Sequence, residues 1–360
     1  MIDDIPKKNL VNSSLNKECV NFESDEFNYN YLYSDFFIDG TLFLPISKKN
    51  LSTSTDVFGF FAKSKYLPYF SEKYAKFIKS NVDKFQIFTN CYVIGSSYGY
   101  YHCLLDYFPR LFGINKYILK KIEYIVLGKN YMEQSKALET LLKKLNINKK
   151  IIFLDEGTYL FKNSFMPFKQ GLIQTINNYK KIFSKDLNHS SFKKIYISRS
   201  DSPNRIIENE NDLIKYLEKY NFEVYNFSEL HIIDQIKLFN ESKIIVSMHG
   251  AALSNLIFAN EGTKVVEITH NFNSNKKSDW FNNAKNIIQP SDGFTRNHFR
   301  IISINNNLDH YFYFSSLFDN QFLDDFEKLN ETDQLDKVTK CDLILNIDLF
   351  SNFFESQILT

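Results

Sequence analysis

Cysteine is scarce and scattered: Cys19, Cys91, Cys103 and Cys341 form no CxxC pair and no Cys/His cluster at zinc spacing. Reduced thiols in a cytosolic protein are therefore the expectation. No apolar run approaches the roughly 20 residues of a membrane span, which limits any membrane contact to a peripheral one. The opening MIDDIPKKNL lacks the charged-then-apolar pattern of a secretory leader. Excess charge is missing too. With 43 Lys+Arg against 42 Asp+Glu and a formal net charge of +1, the chain has no basic surplus for holding a phosphate backbone, so nucleic acid is not an expected partner. No D-x-D triplet, no repeat of fixed period and no low-complexity tract beyond an Asn/Lys bias occurs.

What is present is a 360-residue chain, long enough for two ordinary domains with sizeable cores. A hydrophobic fraction of 44% with 24% charged residues excludes a disordered chain, and 36 Phe with 22 Tyr point to aromatic packing and sugar-stacking surfaces. The first sixty residues read as β-rich, with a run Phe36–Ile46 broken by the turn signal Asp39-Gly40. From Tyr66 to Lys84, Lys alternates with Tyr and Phe, the pattern of a solvated amphipathic helix, and no role is assigned to it. Then come strand Phe85–Ile94, helix Tyr101–Phe112, strand Ile122–Leu127, helix Met132–Leu145 and strand Ile151–Leu154, an alternation that predicts βαβ units. A helical stretch within Gln170–Ser191 leads to a second series. Strands are expected at Ile195–Ser198, Phe222–Phe227, Ile244–Met248 and Lys264–Ile268, with helices Glu210–Tyr220, Ile232–Glu241 and Ala251–Phe258 between them, a second doubly wound sheet. After about Ile304 the chain turns polar, and Leu343, Ile347, Phe350, Phe354 and Ile358 then recur at helical spacing, as in a terminal helix packing back on the body. The domain expectation is 1–170, 190–304 and a C-terminal helical segment 305–360.

Three segments carry chemistry. In Lys243–Ile268 an apolar strand ends at Met248, His249-Gly250 makes the turn, and Ala251-Ala252 open a helix with small side chains in its first turn. Free N–H groups at such a strand edge suit a diphosphate, Gly250 permits close approach and His249 can bond a phosphate or leaving group. The alternative is a tight turn without ligand. In Tyr196–Leu213 a strand ends at Ser198, and Arg199 and Arg205 follow, guanidiniums suited to bidentate diphosphate recognition or simply surface arginines. Glu267, ending the next strand, can accept ribose hydroxyls or be a strand-end charge. In Gly95–Leu111, His102 and Asp106 stand four apart on one helix face, where either can act as general base, and Arg110 one turn on can hold Asp106 ionised; a polar interface stripe is the other reading. The same region contains Gly95-x-Ser97-x-Gly99, the nucleophile-elbow pattern of an α/β-hydrolase esterase. Asp201 and His298 are available downstream, but no HGGG-like segment lies upstream.

Taken together, YYHCLLDYFPRL (Tyr100–Leu111), ISR…R…NE (Ile197–Glu210) and the block from Asp234-Gln235 through SMHGAALSNLIFA to VVEI resemble the family 61 glycosyltransferases, the DUF563 domain, over roughly Tyr100–Ile268. The resemblance implies an α/β, GT-B-like fold, with two Rossmann-type doubly wound domains facing a cleft. It also implies inverting transfer from a nucleotide-sugar donor, often a UDP-sugar, to an oligosaccharide or glycolipid acceptor. Members typically work without a divalent metal, in keeping with the missing D-x-D, so no cofactor is expected and the nucleotide-sugar is a substrate. Arg199, His249, Gly250, Ala251 and Asn255 match the nucleotide-binding blocks, with Arg205 and Ala252 beside them. His102, Asp106 and Arg110 match the His…Asp…Arg block, with Asp106 the first expected base and His102 the second, and Glu267 matches the acidic strand end. Cys103 departs from the pattern, where an aromatic residue is expected. The bacterial members imply capsule or lipopolysaccharide synthesis in the cytoplasm or peripherally at the inner face of the membrane. A non-catalytic glycan-binding relative and a nucleotide-sugar epimerase remain the other readings.

Overall fold

The computed structural model describes residues 19–23, 28–39, 44–47, 80–81, 84–95, 99–129, 135–155, 157–167, 169–187, 190–270, 298–315 and 342–360. The chain divides into two compact units, Met1–Phe183 and Ser184–Thr360. Both are α/β.

The first unit holds an eight-stranded mixed sheet. Its strands are β1 (Cys19–Glu23), β2 (Asn28–Asp39), β3 (Leu44–Ser47), β4 (Gln86–Thr89), β5 (Cys91–Gly95), β6 (Tyr124–Gly128), β7 (Lys150–Leu154) and β8 (Thr158–Pro167). They run in the order β1-β2-β8-β5-β6-β7, with β3 on β2 and β4 on β8. Strands β5, β6 and β7 are parallel neighbours, as the βαβ pattern predicts. The antiparallel β1-β2-β3 edge makes this sheet mixed, where a doubly wound parallel one was expected. Strands β2 and β3 pair antiparallel, with Asp39 of the predicted break paired to Leu44.

Two features depart from the strand pattern. The expected strand Phe85–Ile94 breaks at Asn90, whose φ of 55° lies in the left-handed region that Asn tolerates. Among the described residues β4 therefore pairs only with β8, while the wholly buried β5 lies between β8 and β6. Strand β8 escapes the sequence reading because Lys162-Asn163-Ser164 interrupts its apolar run, yet it is central. There the Ser164 hydroxyl accepts the Cys91 N–H at 3.0 Å and donates to the Lys162 carbonyl at 2.8 Å, replacing ladder bonds. Cys91 and Cys103 are buried and not disulfide-bonded, and burial pushes the Cys91 thiol up to about 12.

The second unit is a five-stranded parallel sheet: β9 (Lys193–Ser198), β10 (Glu223–Asn226), β11 (Ser242–Met248), β12 (Lys264–His270) and β13 (Asp309–Ser315). Helices Glu210–Glu218, Ile232–Glu241 and His298–Asn305 and a 3-10 helix Ala251–Phe258 fill the crossovers. The order β10-β9-β11-β12-β13 reverses direction between β9 and β11, and the carboxyl ends of such a pair are where doubly wound sheets bind ligands. On one face Tyr196, Val246, Met248 and Val266 pack with Leu213 and Leu217, with Phe350 and Phe354 of the terminal helix Ile347–Gln357, and with Ile358 just after it. Thus β13 and the terminal helix are part of this sheet's own layers. Among the described residues no helix is long and apolar enough to cross a membrane.

Candidate functional site

At the strand-order reversal, Arg199 leaves β9 and Gly250 leaves β11. Gly250 has extended backbone, so its need for glycine is spatial. A Cβ built there would overlap Nη1 of Arg199 and lie 3.1 Å from its Cζ. The guanidinium thus rests directly on the Gly250 main chain. It is aimed by its own loop: Nη2 donates to the Ser202 hydroxyl at 2.7 Å and the Asn204 carbonyl at 3.2 Å, and Nε donates to the Arg205 carbonyl at 3.2 Å. Arg205 holds a left-handed φ of 60° to turn that loop. Burial first, and then the neighbouring Arg205 charge, lower the Arg199 pKa to about 10, so the fold brings two partly desolvated cations together. Such a pair is stabilised by a bound anion.

After Gly250 the first intrahelical bond runs from the Leu253 N–H to the Gly250 carbonyl at 3.0 Å. The helix is 3-10 rather than α, and its opening residues Ala251 and Ala252 precede that bond, so their N–H groups lie outside the intrahelical ladder. Asn255 is fully buried. Its amide donates to the Ala252 main-chain carbonyl at 3.1 Å and to the Gln235 side-chain oxygen Oε1 at 3.2 Å, bracing the turn. His249 is anchored by its N–H to the Ile268 carbonyl at 2.8 Å, and its Nδ1 meets Oε1 of Glu267. The other Glu267 oxygen accepts from Nε2 of His310 at 3.0 Å. Glu267 is 0% exposed; burial pushes its pKa up, but the two imidazoles outweigh this and hold it at about 2. With both oxygens engaged, this carboxylate supports His249, and the expected acceptance of ribose hydroxyls has no exposed oxygen to use.

In the first unit, helix Tyr100–His102 passes into a π turn Cys103–Tyr107 and a 3-10 turn Phe108–Gly113, a wound-then-tightened path of the sort found at functional sites. It brings Nδ1 of His102 to 2.6 Å from Oδ2 of Asp106, with the side chains 22% and 9% exposed. On Oδ1 sits Nζ of Lys169, at 2.5 Å. Burial works against the Asp106 charge, but the His102 bond and the Lys169 cation prevail and hold its carboxyl below the ordinary range. Nδ1 of His102 therefore donates to the carboxylate.

Arg110 is fully buried and meets Asp106 by its main chain: Nε donates to the Asp106 carbonyl at 3.2 Å, Nη1 to the Ile94 carbonyl at 2.6 Å, and the guanidinium covers the Tyr107 ring at 4.6 Å. The cation expected of Arg110 at the carboxylate is supplied by Lys169.

Residues 100–266 match the family model Glycosyltransferase 61. The match supports that family, and with it glycosyl transfer as the class of activity. No curated protein matches the chain. The family 61 span contains the His102 turn, the arginine loop and the Gly250 turn, and ends one residue before Glu267.

Of the remaining expectations, Ser97 lies outside the described residues, as does nearly all of Tyr66–Lys84. Gly95 of the elbow pattern has a packing reason of its own: φ is 124°, and an added Cβ would stand 2.5 Å from Cε1 of Tyr107. Sequence reasoning missed Lys169 and His310. Each follows or lies on a strand, β8 or β13, that the reading had not drawn.

Proposed function

We propose that the protein is an inverting glycosyltransferase that moves a sugar from a nucleoside-diphosphate donor to a hydroxyl of a glycan or glycolipid. The reading is carried by one observation, the Arg199 guanidinium resting on Gly250 where the parallel sheet reverses its strand order. A diphosphate at that edge meets two guanidiniums, the Ala251 and Ala252 N–H groups and His249. These groups neutralise the charge that grows on the leaving diphosphate. Losing one such donor typically costs about 100- to 1,000-fold in kcat.

His102 is the better base. An Asp106 carboxylate with both oxygens engaged and its pKa held down is a weak proton acceptor, whereas its bond to Nδ1 fixes the His102 tautomer in which Nε2 is the basic nitrogen. This reverses the order expected from the sequence. As the acceptor oxygen bonds to the anomeric carbon, the bond from that carbon to the diphosphate oxygen breaks. The electron pair leaves with the nucleotide, and the acceptor proton goes to His102. Attack opposite the leaving group inverts the anomeric centre. The reading gives the donor to the second unit and the acceptor to the first, as in a GT-B enzyme. It takes a UDP-sugar as donor, needs no divalent metal, and puts the work in bacterial surface-glycan synthesis on the cytoplasmic side.

A thermal-shift panel of UDP-, GDP- and CMP-sugars tests the donor site, and acceptor-dependent release of nucleoside diphosphate tests transfer. Arg199→Ala should abolish the nucleotide-induced shift, and His102→Ala should remove transfer while the shift remains. If no nucleotide raises Tm and diphosphate release never depends on an acceptor, the assignment fails. Loss of transfer with a chelator, restored by manganese, would refute the metal-independent part.

A further inference from the structure

Behind His249 lies a buried polar chain that the reaction as described does not use. Ser303, in helix His298–Asn305, has its hydroxyl 2.8 Å from Nδ1 of His310 on β13. Nε2 of His310 is 3.0 Å from Oε2 of Glu267 on β12, and Oε1 of Glu267 meets Nδ1 of His249 at the end of β11. All four side chains are buried. Each bond fixes the next. An ionised carboxylate only accepts, so both imidazoles turn an N–H toward Glu267, and the Ser303 hydroxyl bonds the remaining nitrogen of His310. A carboxylate with no solvent needs a counter-charge. A hydroxyl has one hydrogen to give, and in the arrangement proposed here it goes to Nδ1 of His310, so that the proton balancing the carboxylate sits on His249.

We propose that Ser303 and His310 are positioning residues for His249: through Glu267 they fix its tautomer and direct the carboxylate's charge onto it, so that a phosphate at the Gly250 turn meets an imidazolium. This rests on the reading of that turn as the donor-diphosphate site. Among the described residues, the titratable and charged groups around His249 include Glu267 and His310, His298 with its ring 5.9 Å away, and Arg199 against Gly250. Phe299, 5.0 Å from the His249 ring, is the apolar neighbour from the same helix as His298 and Ser303.

The test measures binding of inorganic pyrophosphate and of UDP to the full chain between pH 5.5 and 8.5, with Arg199→Ala as the control for the site. In wild type, affinity should contain a component that fades as pH rises, because the imidazolium attracts the anion only while protonated. Glu267→Gln should remove that component and weaken binding about tenfold at pH 6.5, the scale of a charge-assisted bond. Ser303→Ala, which deletes one oxygen and is the variant surest to fold, should move the component to lower pH and weaken binding about threefold at pH 7. Ser303→Thr, which keeps the hydroxyl, should restore the wild-type curve. Ring-nitrogen NMR of the unliganded protein should show Nδ1–H on His249 and Nε2–H on His310. If Arg199→Ala weakens binding while Ser303→Ala leaves the pH curve unmoved, the positioning role is overturned and the donor site stands. If neither probe binds wild type, both fall. If the NMR finds His310 protonated at Nδ1, the chain runs the other way and the proposal is wrong.

Discussion

A single methyl group at Gly250 separates the site from the fold. Its backbone is extended, which any residue adopts, so Gly250→Ala brings no conformational strain. The added Cβ meets the far end of the Arg199 side chain, which can swing away. Stability should therefore change by less than about 1 kcal/mol, whereas UDP affinity should fall at least about tenfold because the displaced guanidinium no longer faces the anion. Thermal unfolding and titration calorimetry on the one variant read both quantities, and unchanged affinity would count against Arg199 as the diphosphate ligand. Gly95 is the contrast. There a φ of 124° and a Cβ position 2.5 Å from the Tyr107 ring act together, and Gly95→Ala should cost roughly 3 kcal/mol of stability, measured by urea unfolding.

Among elements, the C-terminal segment has more to do than cover a sheet face. Asp342 accepts the Ile206 N–H at 2.9 Å, Leu343 bridges Ile207, and the Asn209 amide both donates to the Leu345 carbonyl and accepts its N–H at 2.9 Å. These bonds pin the far end of the loop that starts at Arg199. Asn209→Ala removes two of them, about 2 kcal/mol at typical net values. Hydrogen exchange should quicken across residues 199–209, and nucleotide affinity should fall severalfold with the sheet intact; protection equal to wild type would mean that the loop is held elsewhere. The elements of the second sheet were legible because each strand is a short apolar run ended by a polar turn, and each crossover repeats Leu, Ile or Phe at helical spacing, as in Leu213-Leu217 and Ile232-Ile236-Phe239. That legibility placed Arg199 and Gly250 at two strand ends; the strand order then made those ends neighbours. Lys169 and His310 were hidden for a physical reason. Each acts only through pairing across the sequence, Lys169 with Asp106 by way of β8, and His310 with Glu267 by way of β12-β13. No local period records such a meeting. Asn163 and Ser164 also disguised β8, since a strand that bonds its neighbour through a serine hydroxyl loses the alternation by which strands are recognised.

At the scale of the whole molecule, near-neutral net charge conceals, among the described residues, two buried carboxylates that cannot lose their charge cheaply. Glu267 is held at about 2 and Asp106 below its ordinary range, each by imidazole and, for Asp106, lysine partners that exist only in the fold. In the unfolded chain a glutamate takes up its proton near the ordinary value of about 4.3. Between there and about 2 the unfolded state binds more protons than the folded one, so this stabilisation is present above the window and lost as pH falls through it. For Glu267 it is on the order of 3 kcal/mol. Glu267→Gln has no such proton to take up. Urea unfolding of wild type and Glu267→Gln from pH 6 to 2.5 should find the variant less stable at pH 6 and the two curves converging in acid. The difference between the curves reports Glu267 together with the two histidines bonded to it, because Asp106 titrates in both proteins. Parallel curves would mean that the two histidines do not favour the charged form of Glu267, and with that the electrostatic basis for a cationic His249 at the phosphate edge would be gone.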